Sequence, residues 1–238
     1  MFTRLHHQRI AKVLESLDTD LLKRHNCLFA GGTAIALGYG EYRESVDIDF
    51  LVSDLASYRY LRNSVREQGL QALMKGTDAS QLQTSDIRSD QYGIRTKVFV
   101  EGKPIKFEIV LEGRISLAKP GPKDSILGVA TLMKIDMAVS KLLANSDRGL
   151  DMGMHCRDVL DLAMLNLSKS EFAEATTKSE AAYGEAILKD LAKVIDMLGE
   201  PNGLLERCME AMDVSVPRAL LWQNISKVKS FLANGIPN

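Results

Sequence analysis

Leu5, Ile10, Val13, Leu14 and Leu17 recur at helical spacing among polar residues, which predicts an amphipathic helix over residues 3–17. A short run over residues 26–30 is apolar after its first position and ends in Gly31-Gly32, the pattern of a buried strand entering a sharp turn. Thr33–Leu37 then opens a short helix, broken around Gly38 and Gly40. Val46–Val52 reads as a second strand, with Val46, Ile48 and Phe50 on its core face. Asp54 caps a helix over 55–68 that Gly69 closes. Residues 92–100 and 104–111 are β-rich, and EGKP between them predicts a hairpin turn. From Ser125 onward the pattern turns helical, over 126–145, 157–167, 179–198 and 217–232. Gly199 and Pro201 stop the third of these. KPGPKDS, residues 119–125, holds two prolines and a glycine in a polar setting and marks a junction. The expected fold is α+β: a mixed sheet flanked by helices over residues 1–118, then a helical domain over 119–238.

Composition narrows the setting without naming a partner. A chain of 238 residues can bury a sizeable core, and its formal net charge of −1 gives no overall pull toward nucleic acid or membrane. Three widely spaced cysteines, Cys27, Cys156 and Cys208, fit buried thiols in a reducing compartment better than a disulfide framework. No run is long and apolar enough to span a bilayer, and MFTRLHHQRIAKVLESL lacks an apolar signal core, so a cytoplasmic location is expected with no membrane partner.

The chemistry concentrates at GGTAIALGYGEYRESVDIDF. Strand alternation puts Asp47 and Asp49 on one face, opposite the apolar one. Two neighbouring carboxylates repel unless a cation compensates, and Mg²⁺ (or Mn²⁺) is the cation suited to hard oxygen ligands. Gly31-Gly32 lets backbone N–H groups approach an anion, and the helix start at Thr33 adds its positive end. The Thr33 hydroxyl is placed to reach a phosphate oxygen. A phosphate cradle beside a metal-binding pair suits a nucleoside triphosphate (NTP). In KFEIVLE, residues 106 and 108 share a face opposite Phe107 and Ile109, so Glu108 supplies a third carboxylate if its strand adjoins the first.

Other features carry less. Arg59, Arg62 and Arg66 recur three and four apart, a spacing that serves either a solvated helix face or a basic stripe for a nucleic-acid backbone. His6 and His7 fall on a surface-type helix, and His25 and His155 lack partners at metal-ligand spacing, which argues against zinc. Cys27 suits core packing rather than nucleophilic attack.

The order of these motifs resembles the nucleotidyltransferase superfamily related to DNA polymerase beta, and within it the AbiEii/AbiGii toxin-like branch. The resemblance runs from Gly31 to Asp161 and includes Lys141 and Arg148 in VSKLLANSDRG and Arg157, Asp158 and Asp161 in CRDVLDL. Glu108 stands where Asp is commoner, and Gly38-Tyr39 where the branch often has a long side chain. The resemblance implies a nucleotidyltransferase-type sheet with the nucleotide in a cleft beside the helical domain. It implies metal-dependent transfer of a nucleoside monophosphate from an NTP to an acceptor hydroxyl, on a tRNA 3′ end or a protein, and a cognate antitoxin. Asp47, Asp49 and Glu108 would hold metal, and Gly31, Gly32, Thr33, Arg43 and Ser45 the triphosphate. Lys141 would neutralise developing phosphate charge. Asp158 and Asp161, three apart on a helix, serve either to bind substrate or orient Lys141, with Asp158 favoured, or to form ion pairs that hold the two domains together. Two other readings stay open: a nucleotide-binding module without turnover, and a transferase acting on small hydroxyl compounds.

Overall fold

Local sequence chemistry decides most elements. The computed structural model describes residues 2–76, 83–151, 153 and 156–233. Helix α1 (Leu5–Ser16) buries Ile10, Val13 and Leu14, and α2 (Thr19–Arg24) follows from an Asp18 cap whose carboxylate accepts two backbone N–H groups. Strand β1 (Leu28–Ala30) passes directly into α3 (Gly31–Gly38), so the helix begins at the first glycine rather than at Thr33. Strand β2 (Ile48–Val52) is shorter than expected. Val46 lies ahead of it and is 48% exposed, so it takes no part in the core face. Helix α4 (Leu55–Gln68) starts at the Asp54 cap and stops at Gly69, whose φ is +70°. Short strands β3 (Gln83–Thr84) and β4 (Arg88–Ser89) precede the long hairpin of β5 (Gly93–Val100) and β6 (Lys103–Leu111). Its turn residues Glu101 and Gly102 both have positive φ, as a two-residue hairpin turn requires.

The first eight residues of the expected helix over 126–145 are instead β7 (Ser125–Ile126), a turn, β8 (Val129–Ala130) and a short link. Leu127 and Gly128 hold φ of +51° and +80°, which closes a tight hairpin and forbids a helix. Helix α5 (Lys134–Arg148) begins only after it. Helix α6 (Arg157–Met164) matches expectation. The expected helix over 179–198 is two helices. α7 (Lys169–Tyr183) ends at Gly184 with φ of +65°, and α8 (Ala186–Gly199) starts afresh. A full capping box between Ser168 and Glu171 starts α7. Helices α9 (Leu204–Ala211) and α10 (Arg218–Ala233) complete the chain.

The main sheet runs β1-β2-β6-β5-β3, with β4 also on β5. Among the described strands of this sheet, β2 and β6 pair in parallel and the other pairs are antiparallel. On one face Phe29, Phe50 and Phe107, fully buried, stack across three adjacent strands with ring centroids 5.6 Å apart. Ile10, Val13 and Leu14 of α1 and Tyr58, Leu61 and Val65 of α4 belong to the same core. The opposite face carries Asp49 and Glu108.

The chain divides into two compact units, Met1–Gly38 with Ser45–Met133, and Tyr39–Glu44 with Lys134–Asn238. The division falls at Met133 rather than at the prolines of 119–125. The β7–β8 hairpin and the residues after it stay with the first sheet, where Thr131 bridges Phe29 and the Leu132 N–H donates to the Phe29 carbonyl at 3.1 Å. Residues 39–44 join the second unit through hydrogen bonds from Glu44 N–H to the Met212 carbonyl and from Ser215 N–H to the Tyr42 carbonyl. Within that unit α5 buries Met137, Val139, Leu142 and Leu143, and α8 and α10 bury Leu191, Ile195, Leu221 and Ile225.

Candidate active site

Strands β2 and β6 lie side by side in register, so Asp49 and Glu108 are cross-strand partners on one face, as the alternation required. Ala30 is the partner of Asp49 on the other side, which brings the start of α3 against the same carboxylate. Gly31 has φ of +72°, and a Cβ built on it would sit 2.5 Å from Asp49 Oδ2. No other residue type fits there without displacing Asp49 or the helix start. The first N–H groups of α3 have no partners within the helix, so they and the helix dipole favour negative charge at this spot.

Asp47 sits just ahead of β2, and its segment is fastened from several sides. Thr33, fully buried, donates its hydroxyl to the Asp47 carbonyl, and Ser45 Oγ lies 2.8 Å from the same hydroxyl. One hydroxyl has one proton, so Ser45 donates to Thr33. Both hydroxyls thus take part in positioning the Asp47 segment. The Ser45 N–H donates to His7 Nε2 at 3.1 Å, and His6 Nε2 reaches the Val46 carbonyl at 2.9 Å. His7 is fully buried rather than on a surface face, and accepting a backbone N–H fixes Nε2 as the unprotonated nitrogen. Sequence reasoning missed this role because nothing local ties position 7 to position 45.

Glu108 has two cationic neighbours, Arg95 Nε at 3.1 Å and Lys106 Nζ at 2.5 Å. Burial pulls the Lys106 ammonium down, but its bond to Glu108 and the charges of Glu108, Asp47 and Asp49 outweigh that and push it up. Lys106 thus belongs to the carboxylate face, and the alternation that found Glu108 could have found it. Among the described residues no group of three or more His, Cys, Asp or Glu side chains is gathered to hold a metal. The donor set still fits Mg²⁺, which commonly takes one or two carboxylates and completes its shell with substrate phosphates. Asp47 and Asp49 are the two carboxylates that such a shell would use.

The second unit holds a separate buried network. Arg43 grips Asp161 through Nε at 2.7 Å and Nη2 at 2.9 Å, and the Tyr42 hydroxyl donates to Asp161. Lys141 Nζ lies 3.0 Å from Asp158 and 2.6 Å from Asp161, and Arg148 binds Asp158 through Nε at 2.8 Å and Nη2 at 3.0 Å. Burial opposes charge on both aspartates. The Lys141 ammonium, with Arg148 at Asp158 and Arg43 at Asp161, overcomes it and holds both carboxyls below the usual range. Lys141 and Arg43 are each only 4% exposed. Arg43 and Asp158 each spend their charge on partners inside this unit, and Asp158 pairs with Lys141, one of the roles its spacing allowed.

Cys27, Cys156 and Cys208 are free and buried, and burial pushes the Cys27 thiol up, which suits packing. His155 lies outside the described residues. No helix among the described residues is long and apolar enough to cross a membrane.

A family model described as the nucleotidyl transferase AbiEii toxin of type IV toxin–antitoxin systems matches residues 12–225. Among solved structures, a protein from H. pylori described as a candidate nucleotidyltransferase superposes with a TM-score of 0.51 at 18% identity, over 98% of this chain and 97% of that one. JHP933 from Helicobacter pylori gives a TM-score of 0.48 at 17% identity, over 98% and 99%. The first supports a shared fold alone, and the second carries no weight. No curated protein matches the chain significantly. The family match spans most of the sequence, and on that ground the chain belongs to the AbiEii nucleotidyl transferase toxins of type IV toxin–antitoxin systems.

Proposed function

We propose that this nucleotidyltransferase moves a nucleoside monophosphate from an NTP to a hydroxyl on a macromolecule, a tRNA 3′ end or a protein, in the cytoplasm of a cell that also makes its antitoxin. The observation that carries the reading is the pairing of Asp49 with Glu108 on the face that meets the Gly31 helix start. Asp47 and Asp49 would hold Mg²⁺ or Mn²⁺, with the triphosphate completing the shell. When bound, the ion neutralises phosphate charge and polarises the phosphorus–oxygen bonds. Gly31 and Gly32 present backbone N–H groups to the triphosphate. The acceptor oxygen bonds to the α-phosphorus, the α–β bridging bond breaks, and pyrophosphate leaves with the electron pair. Glu108, on the same face, takes the hydroxyl proton or steadies the ion. Lys106 and Arg95, beside it, limit repulsion among the three carboxylates. Lys141 we assign to the frame of the second unit, because its ammonium is committed to Asp158 and Asp161.

The test is incubation with each α-labelled NTP, Mg²⁺ and total tRNA or cell protein. Wild type transfers label to one macromolecular fraction, and Asp49→Asn loses about a hundredfold or more of that rate. EDTA stops the transfer and Mn²⁺ restores it. Nucleotide binding without transfer, or an Asp49→Asn variant as active as wild type, overturns the proposal.

A further inference from the structure

The stripe of arginines on α4 is divided by its contacts. Arg66 is committed to β4, with Nη2 donating to the Ser89 carbonyl at 2.8 Å and Nε to Ser89 Oγ at 3.0 Å. Arg59 and Arg62 instead line an open concavity of about 750 Å³, together with Leu55, Tyr92, Val110 and Arg114. Val110 and Leu111 close β6, so the concavity lies at the end of the strand that carries Glu108.

Its lining is cationic and aromatic. Arg59 is exposed and makes no hydrogen bond or ion pair among the described residues. The Arg62 guanidinium lies 6.0 Å from the Tyr58 ring centroid, and its Nη1 donates to the Asp90 carbonyl at 3.5 Å. Arg62 Nε is buried with no acceptor. Arg114 is gripped by Glu112, the one carboxylate in the lining, so the balance of charge is positive. Tyr92 is 64% exposed, yet its backbone is fixed. Its N–H donates to Asp90 Oδ1 at 2.7 Å, and its carbonyl accepts the Leu111 N–H at 3.0 Å. Tyr58, fully buried, holds that turn from below through its hydroxyl on the Asp90 carbonyl at 2.7 Å.

Planar guanidiniums match phosphate oxygens, and an exposed ring on an anchored backbone offers a stacking face. A free phosphate or an acidic peptide would use the arginines and leave the ring idle. A duplex would keep its bases stacked away from the ring. We propose that this concavity docks single-stranded nucleic acid, with phosphates on Arg59 and Arg62 and one unstacked base on Tyr92. Where the transfer reading holds for an RNA acceptor, the strand carrying the reacting hydroxyl lies here. The docking itself does not depend on transfer.

The test is equilibrium fluorescence anisotropy of the full chain with a labelled single-stranded RNA of about twelve nucleotides, without NTP or metal. Because nothing turns over, failure of transfer in the Asp49→Asn experiment leaves this readout intact, and the reverse also holds. Arg59→Glu and Tyr92→Ala each weaken binding about fivefold or more. Arg59→Ala lowers the slope of log affinity against log salt by about one. Lys189→Glu, the same change of charge on an exposed stretch of α8, stays within about twofold of wild type. Melting temperatures establish that the variants fold, and if Arg59→Glu does not, Tyr92→Ala reads the same site. Wild-type affinity in both site variants overturns the proposal, as does an equal loss in Lys189→Glu. Full displacement by mononucleotide or by an acidic peptide at matched charge concentration also overturns it, and names the other occupant.

Discussion

Gly31 is the residue on which the geometry of the acidic face turns. Gly40 has a similar φ, +85° against +72°, but nothing lies within 4 Å of a Cβ built there. Gly31→Ala and Gly40→Ala therefore share a backbone cost of roughly 1–2 kcal/mol, and only the first also drives a methyl into Asp49. The expected outcome is a larger loss of stability for Gly31→Ala in thermal melting, with transfer abolished in that variant and retained in Gly40→Ala. Equal losses in both would mean the Asp49 contact is unimportant. The residue-scale logic was partly legible in the sequence. Period-two alternation is enough to place Asp49 and Glu108 on the face away from the apolar core, and the register then sets Asp49 opposite Glu108. The partners of that face were harder to see. Lys106 obeys the same alternation but is an ordinary residue in an ordinary strand, and Arg95 reaches Glu108 only through hairpin register. His7 lies 38 positions from its partner Ser45, and no local pattern encodes that.

Elements read well where one residue type decides the backbone, and poorly where two periods compete. Asp54 and Gly69 bound α4 as their capping chemistry dictates. Residues 126–132 defeat the reading because Ile126, Val129 and Leu132 suit a helix as well as a hairpin, and the deciding turn is only Leu127-Gly128. That turn is also poorly filled. Leu127 holds φ of +51° while 41% exposed, a conformation that costs an L-residue roughly 1–2 kcal/mol. Asn-Gly is the favoured pair for this geometry. Leu127→Asn is expected to stabilise the protein by about 0.5–1 kcal/mol, seen as a melting temperature raised by about 1–4 °C. A lowered melting temperature would show that the Leu127 side chain contributes packing that outweighs its backbone strain. Gly184 makes the same point in a helical setting, since the pattern over 179–198 continues through it while the positive φ does not.

At the scale of the whole molecule, the chain passes between its two units after Gly38, after Glu44 and after Met133. Residues 39–44 are far in sequence from the helices they join, and besides the backbone hydrogen bonds to Met212 and Ser215 they are held by charge. Asp161 ties Arg43, 118 positions away, and Lys141 into one buried cluster. Sequence reading could flag Arg43, Lys141, Asp158 and Asp161 as chemistry-bearing and set Asp158 beside Lys141, but not that Arg43 would join them. Removing a single partner leaves buried cations uncompensated, so Asp161→Asn is expected to destabilise the protein by about 3–5 kcal/mol at about pH 7. The pH dependence has a definite sign. Asp158 and Asp161 have folded-state values below the unfolded carboxylate value of about 3.9, so their stabilisation is complete above it and drains away as pH falls further. Protonated Asp161 is nearly what the Asn variant already carries. The stability gap between wild type and Asp161→Asn should therefore be full at about pH 7 and narrow at about pH 3, as read by thermal or urea unfolding at each pH. A gap of the same size at both would place the loss in packing or in the Tyr42 hydrogen bond rather than in the ion pairs, and the second unit would then owe its inclusion of residues 39–44 to shape and not to charge.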